Sequence, residues 1–311
     1  MEPSSPRGRL RSLLPLALAI ALPWLWFVVR DLGGPFDAVS VGLPLIACAA
    51  IVTAALVAVI TGRAWPLTAG VSTLAVCAVV VLAPMWPRPV AAPDHAIRLV
   101  VANVWDANPA IHEVPAALLD RGVDVAVAVE MPDGAFSDEM TDDARTMGLG
   151  GFVQERTLGA WSRFPIQELG DRGLPRSRVM RVAVDAPDAP FVLYVVHALN
   201  PLRSESFDEQ RLFTDRLLGA IADERLPVVV AGDFNMSDRV VSYREMDAAL
   251  TDAMRADVAG STTYVGGLWP LLMLRIDHVF VEPTWCASDA ATFSVPGSDH
   301  RGLQVAVGPC G

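Results

Sequence analysis

Three long runs without a charged side chain open the chain, and shorter apolar stretches follow. Residues 12–29, 38–62 and 64–87 contain no Asp, Glu, Lys or Arg, giving runs of 18, 25 and 24 residues. Each is long enough to cross about 30 Å of hydrocarbon as a helix. A cleaved signal peptide behind Arg7, Arg9 and Arg11 would account for the first run alone. Pro15 and Pro23 are tolerable within a membrane helix. The pattern predicts a membrane anchor of three helices over 1–88 (about 12–29, 38–62 and 64–87), a linker over 89–96, and a globular domain over 97–311.

From residue 97 the apolar stretches shorten and alternate with amphipathic ones. IRLVVANVW (97–105) is rich in β-branched residues and reads as a strand. EVPAALLDRG (113–122) reads as a short helix closed by Gly122, and VDVAVAVE (123–130) as a strand ending on an acid. SDEMTDDARTMG (137–148), capped by Ser137 with acids in its first turn, predicts a helix. Further strands are predicted at 179–185, at 191–197 (FVLYVVH), at VVVAGDFN (228–235), at RIDHVFV (275–281) and at 302–307. SESFDEQRLFTDRLLGAIADE (204–224) is the clearest helix, with Phe207, Leu212, Phe213, Leu217, Leu218 and Ile221 on one face. The stretch from the GDFN segment to about residue 273 reads as loop-rich. Strand and helix alternate early and strands crowd late, without the regular alternation of a barrel. The order points to an α/β fold, a two-sheet sandwich.

Charge adds direction to this picture. The chain has no lysine, so arginines alone report orientation. Arg7, Arg9 and Arg11 precede the first run, and the positive-inside rule then puts the N-terminus in the cytoplasm. Three crossings leave the globular domain outside the cytoplasmic membrane. From Asp94 onward 18 arginines face 32 acids, a formal charge of −14. Proteins that grip a nucleic-acid backbone present basic clusters, because phosphate contacts supply much of that affinity. This domain presents none, which argues against a polynucleotide substrate. Of four cysteines, Cys48 and Cys77 fall in the apolar runs. Cys286 and Cys310 fall in the domain, where an oxidising compartment would bridge them.

Candidate chemistry gathers at the ends of the predicted strands. These residues are Asn103, Glu130, His197 with Asn200, Asp233 with Asn235, Asp277 with His278, and Asp299 with His300. Each ends or interrupts an apolar run, where burial without a partner is costly. Asp233 and Asn235, two apart in an extended segment, are expected on one side of the strand. A single such site would be an ordinary turn; so many in succession point to one polar cavity.

On these residues the chain resembles the endonuclease/exonuclease/phosphatase superfamily. The matching pieces are VANVWDANP, VDVAVAVEMP, GAWSRFPI, YVVHALNP, VVVAGDFNMSD, RIDHVFV and GSDHRGL, in the family's order across nearly all of 97–307. Val129 stands where family members usually have Gln. The resemblance implies a DNase I-like four-layer α/β sandwich that hydrolyses phosphoesters with Mg²⁺, or Mn²⁺ in its place. It implies Glu130 as the main metal carboxylate, with Asn103 and Asp299 as further oxygen ligands. Asp233 would orient and deprotonate the attacking water, and Asn235 would hold a phosphoryl oxygen. His300, paired with Asp277, and His197 would contact the phosphate. For His278, structural and catalytic roles both stand.

The superfamily includes nucleases, sphingomyelinases and inositol-phosphate phosphatases, so its fold leaves the substrate open. An acidic domain on membrane helices favours a lipid-linked phosphate or diphosphate. The layout also resembles membrane-bound bacterial members associated with teicoplanin resistance. An extracytoplasmic nuclease and a catalytically silent binding protein remain the alternatives.

Overall fold

In the computed structural model of the protein the described residues are Ala21, 24–88, 91–132, 134–203, 205–257 and 262–311. The chain divides into two compact units, Met1–Pro84 with Arg239–Val241, and Met85–Asp238 with Ser242–Gly311.

The first unit contains helices α1 (Pro35–Thr61) and α2 (Trp65–Leu82), of 27 and 18 residues, both long and apolar enough to cross a membrane. Pro35 occupies the first turn of α1, where its missing N–H is no loss, and Gly62 closes the helix at φ +61. A Cβ added at Gly70 of α2 would lie 2.7 Å from the Ala54 Cβ of α1. Small residues let the two backbones approach closely. The helix expected over 64–87 stops at Leu82, since Pro84 and Pro87 cannot continue an α-helix. The helix expected over 12–29 lies outside the described residues, apart from Ala21 and 24–29, which are helical.

The second unit is built on two six-stranded sheets. Its strands are β1 (Ile97–Asn103), β2 (Val125–Val129), β3 (Gly151–Glu155), β4 (Leu158–Ser162), β5 (Ile166–Glu168), β6 (Val179–Val184), β7 (Phe191–His197), β8 (Val228–Asp233), β9 (Thr251–Asp252), β10 (Asp277–Val281), β11 (Trp285–Ser294) and β12 (Arg301–Pro309). Sheet I runs β11-β12-β1-β2-β4-β3, and sheet II runs β5-β6-β7-β8-β10-β9. Each has one parallel pair at its centre, β1 with β2 and β7 with β8. Alternate residues of both sheets form the shared core, Leu99, Val101, Val127 and Leu303 from sheet I against Val182, Leu193, Val229 and Val279 from sheet II.

The other face of sheet I is covered by α3 (Val114–Leu119) and α4 (Ala135–Thr146), through Leu118, Phe136, Met140 and Trp161. The other face of sheet II carries α5 (Phe207–Ala222) and α6 (Val241–Ala249). α5 starts with a capping box, the Ser206 hydroxyl accepting from Glu209 N and the Glu209 carboxylate from Ser206 N. Its buried side is Gln210, Phe213, Thr214, Leu217 and Ala220, while Leu212 faces solvent. The result is the two-sheet sandwich expected from the strand order, with the four layers that the family resemblance implied.

Some elements departed from the pattern. β4 lacks a strand signature because LGAWS is short and contains Gly and Ser, yet it is fully buried between β2 and β3. β11 mixes small and polar residues at a sheet edge and is broken by a bulge between Ser288 and Ala291. The stretch expected to be loop holds α6 and the two-residue β9. Cys286 and Cys310 are disulfide-bonded, because antiparallel pairing sets Cys286 opposite Gly308.

Candidate active site

The parallel strands deliver their polar ends to one place. β1 ends at Asn103 and β2 at Val129, followed by Glu130; β7 ends at His197 beside Asp233, the last residue of β8. β10 begins at Asp277, directly across from Asp233. Asn103 Nδ2 donates to Asp233 Oδ2 at 3.0 Å, and His197 Nε2 lies 3.0 Å from Glu130 Oε1. Both contacts join one sheet to the other. Asn103, Asp233, Asp277 and His300 are buried; Glu130, His197, Asn235 and Asp299 are partly exposed.

Backbone shape does much of the positioning. Glu130 has φ +55 and Asn235 has φ +49. The left-handed region costs a non-glycine residue about 1–2 kcal/mol, and Asn tolerates it better than Glu. Asp233 and Asn235 therefore do not share a side through strand alternation. The strand ends at Asp233, and the chain turns: Asn235 N donates to Asp233 Oδ1 at 2.8 Å, and Asn235 Nδ2 lies 3.3 Å from Asp233 Oδ2. Gly232 has φ +144, and a Cβ there would come within 2.0 Å of the Val196 carbonyl oxygen. Only glycine lets β8 run this close to β7 just before the site.

Electrostatics separates the ionisable groups into distinct roles. Burial pushes Asp233 up, the neighbouring Asp277 charge pushes it further, and His300 and His197 pull back, leaving it at about 6. Burial also opposes charge on His300, but Asp277, 2.8 Å from its Nδ1, overrides it and holds the imidazole at about 10. His300 is thus a cation at neutral pH, with its Nε2 3.9 Å from Asp233 Oδ2. Glu130 would be raised by burial; the bond and charge of His197 bring it down to about 2. His197 is itself raised by Glu130 and Asp233 against the opposing effect of burial.

Among the described residues two sets of side chains come close enough to share an ion, Glu130–His197–Asp233 and Asp233–Asp277–His300. His197 thus stands beside the Glu130 carboxylate. Asn103 Oδ1 accepts from Trp105 N at 3.0 Å and keeps a second lone pair. An ionised carboxylate and a carboxamide oxygen suit a hard divalent cation. Asp299 falls in neither set; its side chain hydrogen-bonds Tyr264, whose ring lies 5.0 Å from that of His300. His278 points away from the cavity. It is fully buried, its Nε2 2.9 Å from Met236 O, and it packs on Phe234 and Tyr243 beneath α6. Asn200 serves a turn, accepting from Leu202 N.

The residues that brace the site carry little local signal in the sequence. Ser298 Oγ donates to Asn103 O at 2.8 Å and accepts from His300 N at 3.0 Å. Asn108 Nδ2 donates to Val104 O and Pro296 O, tying the loop before β12 to the loop after β1. Thr263 Oγ1 accepts from the backbone N–H of Ile276 and Asp277, fixing the start of β10. The Asn-Pro and Gly-Ser dipeptides were the only hints.

Comparison with known proteins places this arrangement. The model of the Endonuclease/Exonuclease/phosphatase family matches residues 17–300. An endonuclease/exonuclease/phosphatase from Beutenbergia cavernae superposes with a TM-score of 0.56 at 18% identity, over 70% of this chain and 72% of that one. Human nocturnin's catalytic domain, with bound sulfate, gives 0.53 at 13% identity over 71% and 100%. Sphingomyelinase C from Streptomyces griseocarneus gives 0.51 at 14% identity over 68% and 99%. No curated protein matches by sequence.

Proposed function

The chain belongs to the endonuclease/exonuclease/phosphatase family, a family of phosphoester hydrolases, and from that premise we propose that it hydrolyses a phosphate or diphosphate ester carried on a membrane lipid. The reading places the reaction outside the cytoplasmic membrane, with Mg²⁺ as the ion. The observation that carries the chemistry is the convergence of Asn103, Glu130, Asp233, Asn235, Asp277 and His300 where the strand ends of the two sheets meet.

Glu130 and Asn103 would hold the Mg²⁺ through oxygen, with His197 against Glu130 setting that carboxylate's orientation. Bound there, the ion would polarise a phosphoryl oxygen and offset developing charge. Asp233, held at about 6, matches a base that takes a proton from water near neutral pH. Asn103 Nδ2 and Asn235 N fix its two oxygens, so the water it addresses has a defined direction. Asn235 Nδ2 would turn to a phosphoryl oxygen as negative charge builds. His300 meets the same charge as a cation whose orientation Asp277 fixes.

The lipid substrate is supported by charge and by tether. Eighteen arginines against 32 acids from Asp94 onward disfavour a polyanion. Two helices of membrane length precede the catalytic unit in the chain, which raises the effective concentration of lipid-borne substrates. The disulfide Cys286–Cys310 and the N-terminal arginines support the extracytoplasmic side.

The test uses full-length protein in lipid vesicles with prenyl phosphates, phospholipids, sugar phosphates and oligonucleotides. Turnover should need a divalent ion, and Asp233→Asn should cut it by about 10² to 10⁴ without loss of folding. Activity that survives both chelation and this substitution refutes the assignment of the site. Higher kcat/KM on oligonucleotide than on every lipid-linked phosphate makes the enzyme a nuclease. A C-terminal reporter active only in the cytoplasm overturns the location.

A further inference from the structure

The mouth of the site is unexpectedly apolar for so acidic a unit. Among the described residues of the catalytic unit eight large apolar side chains stand exposed, and four of them lie on two loops. Leu202 is on the loop after β7; Val265, Leu268 and Leu271 are on the loop before β10. The two loops are joined, because the Arg203 side chain hydrogen-bonds Tyr264. They also touch the site: Val265 N donates to Asp299 O at 2.8 Å, and the Tyr264 ring lies 5.0 Å from that of His300. Leu268 is 81% exposed and Leu271 59%, while Leu272 and Leu274 are buried and pin the loop from below. A single 3-10 turn, Trp269–Leu272, holds the shape between them.

Charge patterning singles out the same segment. Asp257 and Arg275 are separated by 17 residues without a charge. Elsewhere in the catalytic segment charges are dense, 50 among the 218 residues from Asp94. Exposed apolar clusters at the edge of a binding site mark a surface that meets something apolar.

We propose that this rim, Leu202 with the 264–272 loop, docks in the boundary between headgroups and hydrocarbon of a lipid bilayer and brings a lipid-borne phosphate to Asp233 and His300. The proposal rests on the lipid-substrate reading above and names the surface that would serve it. A bilayer is the occupant favoured by connectivity. α2 ends at Leu82 and the catalytic unit begins at Met85, so only Ala83 and Pro84 intervene. The start of the unit is also stitched down: Arg88 N donates to Arg255 O at 2.6 Å, and Arg255 Nη2 donates to Trp86 O at 3.0 Å. The connection between the helices and the catalytic unit is therefore short in sequence. The cation at the rim, Arg203, is engaged with Tyr264, so docking is chiefly apolar and only weakly sensitive to salt, unlike capture by a basic patch.

The experiment needs no turnover. Full-length protein carrying Cys48→Ala and Cys77→Ala retains only the disulfide-bonded cysteines, so an added thiol takes a fluorophore selectively. An environment-sensitive dye is placed in turn at Leu268→Cys, Leu271→Cys and Leu226→Cys, in nanodiscs of phosphatidylethanolamine and phosphatidylglycerol. Leu226 is 40% exposed and lies just before Val228, at the end of β8 opposite Asp233. Dyes at 268 and 271 should be quenched by lipids with a nitroxide high on the acyl chain and protected from aqueous iodide about tenfold relative to 226. Raising the salt should not release them. Equal iodide access at all three positions overturns the proposal. Protection from both quenchers that fades with one protein per disc also overturns it, and assigns the rim to a second copy of the chain. If the substrate panel selects oligonucleotide while 268 and 271 remain in lipid, the substrate reading fails and the docking rim stands.

Discussion

Replacing Arg275 by Met keeps most of the side chain's volume and removes a cation that two enclosed carboxylates share. Arg275 Nη1 lies 2.7 Å from Asp252 Oδ2, and its Nε lies 3.3 Å from Asp238 Oδ2. The Tyr243 hydroxyl donates to Asp252 at 2.7 Å and accepts from Arg275 Nη2 at 3.0 Å. Burial raises the Asp252 carboxyl, yet Arg275 prevails and holds it below the ordinary range. Without the cation, burial of Asp252 is opposed only by His278 and the Tyr243 hydrogen bond. Breaking a buried pair from one side costs about 3–5 kcal/mol. For a domain of this size that is roughly 10 °C in Tm. Thermal unfolding of the full-length protein in detergent, followed by near-ultraviolet circular dichroism, reads the loss. The pH dependence has a definite sign. In the wild type the depressed Asp252 adds stability above the unfolded carboxylate's range, lost only as pH falls through its lower folded value. In Arg275→Met the same carboxyl titrates above its unfolded value, so the variant is penalised at neutral pH and recovers on acidification. The gap between the two proteins should therefore narrow from about pH 7.5 to about pH 5. Adding Asp252→Asn to Arg275→Met should restore part of the stability, because one stranded charge is gone. A variant within about 2 °C of wild type, or a gap that widens with acid, would refute the account.

Gly232→Ala should cost about 3 kcal/mol or more, because the new Cβ meets the Val196 carbonyl at 2.0 Å and φ is +144. A soluble variant with unchanged Tm would show that β8 can retreat from β7. His278→Leu should lower stability by about 1–3 kcal/mol, through the stranded Met236 carbonyl, and leave turnover per folded molecule intact. A fall in kcat with an unchanged Tm would move His278 into the chemistry.

How far the sequence could be read depended on whether a residue's partner was near in the chain. The buried runs VVANV, VAVAV and VVVAG announced their strands because both faces of a central strand are covered, and the polar residue ending each run was conspicuous. Asp277 and His278 were adjacent and could not be told apart by composition. Strand alternation sends them to opposite faces: Asp277 to the cavity and His278 under α6. Asp233 and Asn235 carried two readings, a capped turn and a shared cavity. Both hold, since Asp233 Oδ1 caps Asn235 N while its Oδ2 accepts from Asn103. What local pattern could not supply is partnership between sheets. Asn103 and Asp233, 130 residues apart, are joined only by the packing of one sheet on the other. β4 and β11 escaped for a related reason. Their Gly, Ala and Ser residues fit because neighbours leave only that much room, as at Gly302, where an added Cβ would meet the Phe293 ring at 2.2 Å. Small residues look like loop until the partner that selects them is known. The same holds for Ser298, whose hydroxyl bridges Asn103 O and His300 N. Within GSDH it has the look of a turn residue; its role exists only once β1 and β12 lie side by side.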